Sequence, residues 1–446
     1  MLRLLVMLLL SGFAATHADV AHAQTNPIHF KDKTDVTAGT APAAVLAADL
    51  NKDGNVDIAV ANSDDASVSV MLGDGSGSYP SGTTTFGTGD SPVSVATADV
   101  NGDGNADLVV SNDLSDNVSV LLGTGTTTLF GAALNADTGG SPETVVTGDF
   151  DGDKKLDVAT ADQLDDTVTV QFGKKDGTFQ NARSYDVPTS PTGLAVGDVV
   201  GDSSLDLVVT AIDADLVVVL QGNRDGTFQV PDCTADPLPA LCLSAGSAPS
   251  GVAVADVSGD GKLDIIVANE NDDTISVLVN KGDGTFAVAV NLDAGLFAFP
   301  VSVAVADFDG DGKPDIVSAN SGNDDVTVFR GNGGGSFEPA LHFDTDGTPV
   351  GVAVGDANGD KKPDIFTANI DTDDVSVLLN DSAGGCTGDC DGSNTVSVDE
   401  LVKGVNIALG NLDPSVCTSF DKDGNGHVTV DELVLAVNNA LSGCTQ

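Results

Sequence analysis

One acidic segment occurs seven times along the chain and sets the strongest limit on its fold. The first copy, DLNKDGNVD, begins at Asp49 and is followed by a short apolar run. The copies lie 49 to 51 residues apart, except for one step of 58, and begin at Asp49, Asp99, Asp149, Asp198, Asp256, Asp307 and Asp356. A repeat of about 50 residues without helical spacing is typical of a propeller or a linear array. Each copy is therefore interpreted as one structural unit of a repeat fold.

Every unit has the residue pattern of short antiparallel strands. In the second unit, SVATADV (94 to 100) precedes the acidic segment, and DLVVSN (107 to 112) and NVSVLL (117 to 122) follow it. Alternating apolar residues bounded by Gly, Asn and Asp are typical of strands. A tight Asp-Gly turn such as GDGTF (282 to 286) then predicts a fourth strand opened by Phe286. Four antiparallel strands per unit make a propeller blade.

The two ends of the repeat region complement each other. The seventh unit stops after VSVLLN (375 to 380) without a fourth strand, whereas residues 28 to 41 match a fourth strand and a linker. Pairing these segments would close the ring and cover two sheet edges. The prediction is an all-β seven-bladed propeller over residues 25 to 381, with an open array as the alternative.

The acidic balance of the chain is extreme. The formal net charge is -49, and only five of the 67 acidic residues are Glu. Such a polyanion repels nucleic acid and anionic lipid, and its folded form suffers self-repulsion unless cations bind. Solvated acidic surface is the alternative, whereas disorder conflicts with the 41% hydrophobic content. Bound cations are therefore expected.

The spacing within the acidic segment matches a set of metal ligands. Positions 1, 3, 5 and 9 of the first copy are Asp49, Asn51, Asp53 and Asp57, and position 7 offers its backbone carbonyl. Gly54 permits the bend, so the oxygens converge on one small volume. Ca²⁺ accepts about six to eight hard oxygen ligands in flexible geometry, whereas Mg²⁺ requires a tighter octahedron. The predicted occupant is Ca²⁺, and hydrated acidic hairpins are the alternative.

The seven loops differ in how completely they supply these ligands. The fourth has Val200 at position 3 beside Asp198, Asp202 and Asp206, and it is predicted to bind poorly or not at all. The remaining predicted ligands, of which Ser258 is the weakest, are Asp99, Asn101, Asp103, Asp107, Asp149, Asp151, Asp153, Asp157, Asp256, Ser258, Asp260, Asp264, Asp307, Asp309, Asp311, Asp315, Asp356, Asn358, Asp360 and Asp364.

These features resemble a known repeat family. The Asp spacing, the apolar strand that follows it and the count of seven are similar to FG-GAP or VCBS repeats, which form the propeller of integrin alpha subunits and of many exported bacterial proteins. The resemblance covers residues 25 to 381. It implies structural calcium in loops on one face of the propeller and a ligand on the opposite face.

A different pattern follows a linker at residues 382 to 388. Residues 389 to 400 and 421 to 432 each fit a twelve-residue EF-hand loop that leads into an amphipathic helix. Asn394 replaces the usual Gly of the first loop, and Asn tolerates left-handed geometry. The predicted calcium ligands are Asp389, Asp391, Ser393, Thr395 and Glu400 in the first loop, and Asp421, Asp423, Asn425, His427 and Glu432 in the second.

Two loop-then-helix units within residues 389 to 446 resemble a dockerin, which implies a cohesin partner. Dockerins favour small hydroxylated residues at loop positions 10 and 11, and this chain has Val398, Asp399, Val430 and Asp431 there. Position 12 is Glu where dockerins favour Asp. A self-contained calcium module is therefore the preferred interpretation over a cohesin-binding one.

The N-terminus and the cysteines indicate export. Residues 1 to 23 have an early Arg3, an apolar run and a small-residue site near Ala23, as in a cleaved secretory signal peptide. No apolar run is long enough to span a membrane. Cys233 and Cys242 lie in the one long insertion, where we expect a local disulfide. Cys386, Cys390, Cys417 and Cys444 allow three pairings, and a zinc site is the disfavoured alternative.

The composition bears on three classes of function. After signal removal only His29, His342 and His427 remain, without a nucleophile and base pattern, so an enzyme is not expected, although paired Asp could hydrolyse a glycosidic bond. The absence of Trp disfavours a lectin, but calcium can itself bind sugar hydroxyls. The preferred class is a secreted, calcium-stabilised scaffold for adhesion or for an extracellular protein or glycan ligand. Its partner surface is expected on the face opposite the metal loops, formed by residues 112 to 117, 270 to 274 and 321 to 326 and the disulfide-pinned insertion.

Overall fold

The computed structural model describes residues 28 to 125, 128 to 180, 182 to 235, 237 to 382, 390, 396 to 412, 416 to 420 and 427 to 442. The chain divides into two compact units, one spanning Ile28–Ser382 and the other containing Ala383–Gln446. The predicted signal peptide lies outside the described residues. Among those residues, no helix is long and apolar enough to cross a membrane.

The described part of the unit Ile28–Ser382 contains seven antiparallel sheets of four or five strands, and this confirms the predicted seven blades. Blades are numbered here by their acidic loops. The N-terminal strand β1 (Thr34–Thr37) precedes blade 1, which contains β2 (Pro42–Ala48), β3 (Asp57–Asn62), β4 (Ser67–Met71) and β5 (Thr83–Gly87). Blade 2 contains β6 (Pro92–Ala98), β7 (Asp107–Asn112), β8 (Asn117–Leu121) and β9 (Leu134–Asp137), and blade 3 contains β10 (Pro142–Gly148), β11 (Asp157–Asp162), β12 (Thr167–Gln171) and β13 (Arg183–Asp186).

The remaining blades follow the same order. Blade 4 contains β14 (Pro191–Gly197), β15 (Asp206–Ala211), β16 (Leu216–Gly222) and a divided outer strand, β17 (Phe228–Gln229) and β18 (Cys242–Ser244). Blade 5 contains β19 (Pro249–Ala255), β20 (Asp264–Asn269), β21 (Thr274–Leu278) and β22 (Val290–Asp293). Blade 6 contains β23 (Pro300–Ala306), β24 (Asp315–Asn320), β25 (Asp325–Phe329), a small ribbon of β26 (Gly331–Gly333) and β27 (Ser336–Phe337), and β28 (Leu341–Asp344). Blade 7 contains β29 (Pro349–Gly355), β30 (Asp364–Asn369) and β31 (Asp374–Leu378), completed by β1.

The hydrophobic core lies between the blades. Ile58 of β3 packs with Phe366 of blade 7, whereas its neighbour Ala59 packs with Leu108 of blade 2. All six residues of β3 are buried, because another blade covers each of its faces. This double burial explains why the second strand of each unit is nearly continuous in apolar residues. Each blade therefore depends on both neighbours, as expected of a closed ring.

The ring closes through the N-terminal strand, as predicted. β1 pairs antiparallel with β31, with Asp35 opposite Ser376. Further out, Phe30 forms a bridge with Asn380, and its ring packs edge-on against Phe343 at 4.8 Å between ring centroids. The open-array alternative is excluded, because blade 7 obtains its fourth strand from the start of the repeat region.

Successive antiparallel strands place their connections alternately on two faces of the ring. We call the face with the loops between the first and second strands the metal-loop face, and the face with the turns between the second and third strands the turn face. Short 3-10 turns (Asp113–Ser115, Ile212–Ala214 and Glu270–Asp272) lie on the turn face.

A contact that the sequence analysis did not foresee joins successive blades on the turn face. The residue before the proline that opens each first strand has a positive φ, between 47° and 57°, at Ala41, Ser91, Ser141, Ser190, Ala248, Phe299 and Thr348. In six joints its N–H donates to an aspartate of the preceding blade at 2.7 to 3.0 Å, namely Asp373, Asp116, Asp166, Asp215, Asp273 and Asp324 in ring order. The joint before Ser91 has Ala66 at the aspartate position. These carboxylates hold a backbone conformation that non-glycine residues rarely adopt.

Two local predictions were wrong. Phe286 does not open a fourth strand but forms an isolated bridge with Asn280, and β22 begins only at Val290. The insertion does not lie on the turn face, because it runs from β17 to β18 within the connection between the third and fourth strands. That connection starts on the metal-loop face. The disulfide predicted within the insertion, Cys233–Cys242, is present.

The described residues of the unit that contains Ala383–Gln446 include two α-helices, α1 (Val398–Ala408) and α2 (Val430–Ser442). Ile407, Phe420 and Ala436 are buried in its small core. Of the pairings open to the four C-terminal cysteines, a disulfide joins Cys390 to Cys417. The remaining two, Cys386 and Cys444, lie outside the described residues.

Candidate metal loops

The seven acidic loops, six of which are predicted to bind metal, share one location. Each joins the first strand of a blade to the second, so all of them lie on the metal-loop face. Position 9 is the first residue of the second strand in every blade, at Asp57, Asp107, Asp157, Asp206, Asp264, Asp315 and Asp364. The fold thus repeats one arrangement of carboxylates around the ring.

Position 9 has a structural function that the sequence analysis missed. Asp57 is fully buried, and its two carboxylate oxygens accept hydrogen bonds from the N–H of Leu50 at 3.0 Å and of Gly73 at 2.9 Å. The equivalent N–H donates to position 9 in the other six blades at 2.7 to 3.0 Å. Its residue lies two positions beyond the third strand, except in blade 4, where it is the last residue of β16. Burial raises the pKa of Asp57 to about 6 and that of Asp364 to about 7. This carboxylate clamps the loop to the end of the third strand.

Position 1 organises the loop backbone. In blade 1, Asp49 Oδ1 accepts from the N–H groups of Lys52 and Asp53, and Oδ2 accepts from Gly54 at 3.0 Å. The backbone at position 6 is left-handed in every blade, including those with Lys154, Ser203 and Lys361 in place of Gly. The loop therefore has the same shape even where glycine is missing.

Blades 3 and 6 both bring three predicted ligands together, and in blade 6 these are Asp307, Asp309 and Asp311. Asp149, Asp151 and Asp157 each offer a carboxylate oxygen, and these oxygens lie within 4.8 Å of one another. Asp149 Oδ1 is buried and has no hydrogen-bond partner among the described residues. A buried oxygen without a partner is costly, and a hard divalent cation would satisfy it. The residues of this loop therefore fit calcium.

Lysine side chains at position 7 lie beside some of these carboxylates. Lys155 contacts Asp153, and Lys262 Nζ lies 2.5 Å from Asp260 Oδ2. These lysines are on the surface, where an ion pair contributes little to stability. A cation bound in the loop would displace them at small cost.

Blade 4 holds its incomplete loop with neutral and basic side chains. Gln221 Nε2 donates to Asp202 Oδ2 at 3.0 Å, and Arg224 donates to the carbonyls of Asp202 and Ser203. The hydrogen bond from Gln221 lowers the pKa of Asp202. In blade 5, Ser258 donates to Asp256 at 3.2 Å, so this hydroxyl already has a partner within the loop.

One acidic group was not predicted. Asp35, Asp346 and Asp374 lie within 4.8 Å of one another. Asp35 and Asp374 belong to the paired strands β1 and β31, which are more than 330 residues apart in the chain, so no local spacing could reveal the group. Lys33 Nζ lies 2.5 Å from Asp35 Oδ2 and 3.3 Å from Asp346 Oδ2, and it partly neutralises the group.

The turn face carries exposed apolar side chains. Leu114 and Leu164 occupy equivalent turn positions in blades 2 and 3 and are 74% and 77% exposed. Leu296 and Phe297, in the linker between blades 5 and 6, are 75% and 61% exposed. The segment 112 to 117 of the predicted partner surface therefore contains an unburied leucine.

The predicted EF-hand ligands fall mostly outside the described residues, which include only Glu400, His427 and Glu432 of the ten. Glu400 is buried and accepts from the N–H of Cys390 at 2.6 Å and of Ser397 at 2.7 Å. Glu432 is likewise buried and accepts from the N–H of Thr429 at 2.7 Å. Both glutamates cap their helices in the same way.

The comparisons with known proteins agree with the repeat architecture. A family model described as FG-GAP-like repeat matches residues 49–110, 101–160, 149–209, 198–267, 256–318 and 307–367. The chain is thus a seven-bladed propeller built of such repeats, and it belongs to the FG-GAP-like repeat family. A search of curated proteins found no match.

Solved structures share the fold at low identity. Virginiamycin B lyase from Staphylococcus aureus, in its selenomethionine form, superposes with a TM-score of 0.54 at 12% identity, covering 79% of this chain and 99% of the lyase. BBS1N, solved in complex with ARL6DN, gives a TM-score of 0.54 at 11% identity, covering 79% of this chain and 96% of BBS1N. These likenesses support the propeller fold.

Proposed function

We propose that this chain is a secreted propeller scaffold that calcium stabilises and that binds an extracellular protein through its turn face. Positions 1, 3, 5 and 9 of the loops in blades 1, 2, 3, 5 and 7 would hold the metal, together with the carbonyl at position 7. The loop of blade 6 has the same ligand spacing, but Arg330 contacts two of its carboxylates. Calcium would supply positive charge on the metal-loop face, where the carboxylates otherwise repel one another.

The single observation that carries the calcium proposal is the carboxylate group of blade 3. Asp149 has a buried oxygen without a partner among the described residues. One carboxylate oxygen from each of Asp149, Asp151 and Asp157 lies within 4.8 Å of the other two. The two disulfides among the described cysteines support export, because such bonds persist in oxidising compartments.

A binding function is favoured over catalysis by the surroundings of the histidines. His342 Nδ1 lies 3.0 Å from Asp325 Oδ2 and 3.2 Å from Thr327 Oγ1. Asp325 and Thr327 thus contact the same ring nitrogen. In a catalytic triad, by contrast, the carboxylate binds one nitrogen of the histidine and the nucleophile binds the other. We therefore propose a non-catalytic protein.

The C-terminal unit is proposed to be a paired calcium module. Its two buried glutamates occupy position 12 of the predicted loops, where an EF-hand places its bidentate ligand. Cohesin binding remains a less favoured extension of this proposal. Far-UV circular dichroism of the full chain and of the Glu400→Gln plus Glu432→Gln variant, with calcium and with chelator, would show whether calcium acts on this module.

Thermal unfolding with calcium or with chelator tests the metal proposal. A site held at 100 times its Kd adds about 2.7 kcal/mol, and several sites together should raise the Tm by well over 5 °C. Asp149→Asn should remove part of this gain. Asp198→Asn, the same change in the incomplete loop of blade 4, should leave the gain intact. An equal Tm in calcium and in excess chelator would contradict the proposal.

Binding assays test the turn face. The variant Leu114→Ser plus Leu164→Ser should lose binding to extracellular proteins captured by the wild type, while Val288→Ser serves as an exposed control outside that face. A glycan array measured with and without calcium tests the alternative function, which is a calcium-dependent lectin. Calcium-dependent glycan binding that survives the leucine changes would favour a lectin.

A further inference from the structure

Blade 6 contains a fixed cation within its predicted metal loop. Arg330 directly follows β25, and its guanidinium contacts three carboxylates. Nε contacts Asp309, Nη2 lies 3.0 Å from Asp311 Oδ2, and Nη1 lies 3.0 Å from Glu338 Oε1. The side chain of Asp309 is 2% exposed and that of Arg330 is 22% exposed. This ion cluster is therefore largely shielded from water, unlike the surface lysines of the other loops.

The sister blades carry no cation at this position. The equivalent residues are Leu72, Leu122, Phe172, Gln221, Val279 and Leu379. Glu338 is also specific to blade 6, since Gln180 and Gln229 follow the hairpin Phe in blades 3 and 4, and Ala287 follows it in blade 5. Arg330 and Glu338, which form an ion pair with each other, thus both occur only in blade 6. Gln221 of blade 4 is the nearest parallel, because it also binds position 5 of its loop.

Arg330 binds two of the four side chains predicted to coordinate calcium in this loop. Asp309 and Asp311 are positions 3 and 5, and their carboxylate oxygens bind two different nitrogens of one planar guanidinium. Such charge-assisted pairs are the strong class of hydrogen bond. A divalent ion in the same volume would break both pairs and would lie against a retained positive charge.

We infer that Arg330 is the resident counter-ion of blade 6, and that calcium does not occupy this loop although its ligand spacing is complete. The inference rests on the proposed function for the other loops. The seven loops therefore form two groups. Five bind metal, and the loops of blades 4 and 6 instead contact a side chain at the end of the third strand, Gln221 or Arg330.

Because blade 6 lies beside the closure of the ring, the presence of Arg330 in place of calcium has a structural consequence. Phe308, at position 2 of the loop, packs edge-on against Phe30 of the closing segment at 5.7 Å between ring centroids. The carbonyl of Phe308 also accepts from Asn380 Nδ2 of blade 7 at 2.8 Å. The loop beside the closure of the ring therefore keeps its charge balance when calcium is removed.

The test compares the full-length wild type with Arg330→Leu, which places the residue of blades 1, 2 and 7 in blade 6. Val279→Leu makes the corresponding change in blade 5 and is the control. Calcium stoichiometry by equilibrium dialysis should rise by one ion per chain in Arg330→Leu and stay unchanged in Val279→Leu. The C-terminal loops contribute equally to all three proteins, so the difference reports blade 6. In chelator, the Tm of Arg330→Leu should fall below that of the wild type, and calcium should restore it.

Crystals of the wild type grown with terbium decide the question even if Arg330→Leu fails to fold. Anomalous peaks in the loops of blades 1, 2, 3, 5 and 7 with none in blade 6 are the expected result. A peak in the loop of blade 6, or equal stoichiometry in the wild type and a folded Arg330→Leu, would overturn this inference alone. Absence of ions from every propeller loop would instead overturn the proposed function.

Discussion

Replacing Asp162 by Asn should stabilise the propeller at neutral pH. Asp162 is the last residue of β11 and is fully buried, and burial raises its pKa to about 6. Five sister blades have Asn at this position: Asn62, Asn112, Asn269, Asn320 and Asn369. Every contact that an amide would make at 162 has a precedent among them. Thr160 donates to Asp162 Oδ1 at 2.7 Å, as Thr367 donates to Asn369 at 2.9 Å.

The size and the pH dependence of the effect follow from the raised pKa. A pKa about two units above that of an unfolded Asp corresponds to about 3 kcal/mol, at about 1.4 kcal/mol per unit. The folded state binds this proton more tightly than the unfolded chain does. The wild type therefore loses this contribution to stability as the pH rises from about 4 through about 6. The variant loses only what the other buried carboxylates, such as Asp57 and Asp364, contribute over the same range. For a unit of this size, about 3 kcal/mol corresponds to roughly 4 °C in Tm.

Calorimetry in chelator at a series of pH values checks this reasoning. Asp162→Asn should melt higher than the wild type at pH 7.5, and the two curves should converge near pH 4. Asn62→Asp in blade 1 is the reverse control and should introduce a destabilisation that grows as the pH rises. A difference between Asp162→Asn and wild type that stays constant with pH would refute the assignment of the cost to an ionised, buried carboxylate.

Three further changes probe the ring. Ala66→Asp should supply the aspartate that is missing from the contact between blades 1 and 2, and Asp tolerates the left-handed backbone at this position. The variant should be more stable by about 1 kcal/mol, measured as a rise in Tm. An unchanged Tm would contradict a stabilising role for this contact. Phe30→Ala should cost about 3 to 5 kcal/mol in urea unfolding, because it empties the closure between blades 6 and 7. Cys233→Ser plus Cys242→Ser should cost about 2 to 3 kcal/mol, given the short loop that the bond closes, and a loss of calcium binding in this variant would contradict a purely local role.

The blade count and the ring closure were predictable because both are periodic. The acidic segment marks each unit, and the missing fourth strand of blade 7 is matched by residues 28 to 41, which include β1. The strand identities followed from the short apolar runs. The location of the insertion was predicted wrongly. It lies between β17 and β18, and the length of a repeat does not show which of its connections contains the extra residues.

The occupancy of individual loops was less predictable than their location. Ligand spacing made the loop of blade 6 look complete, yet Arg330 lies 15 residues beyond its last ligand, Asp315, and contacts the loop only because β24 and β25 fold back on each other. The joint aspartates were missed for the same reason. Asp373 binds the N–H of Ala41, a contact across 332 residues. Repeat-by-repeat alignment could have found both, since Arg330 and Ala66 are the exceptions in their columns.

The preference for Asp over Glu follows from these contacts and does not require metal in every blade. A carboxylate on a single methylene can reach backbone N–H groups within its own turn. Asp49 does so at position 1, and Asp57 does so at position 9 while it also binds the end of the third strand. Blade 4 keeps the position 9 bond through Asp206, although its loop lacks a ligand at position 3. The hydrogen bonds of aspartate thus determine the shape of the repeat. In that shape its remaining lone pairs point into the volume where we propose that calcium binds.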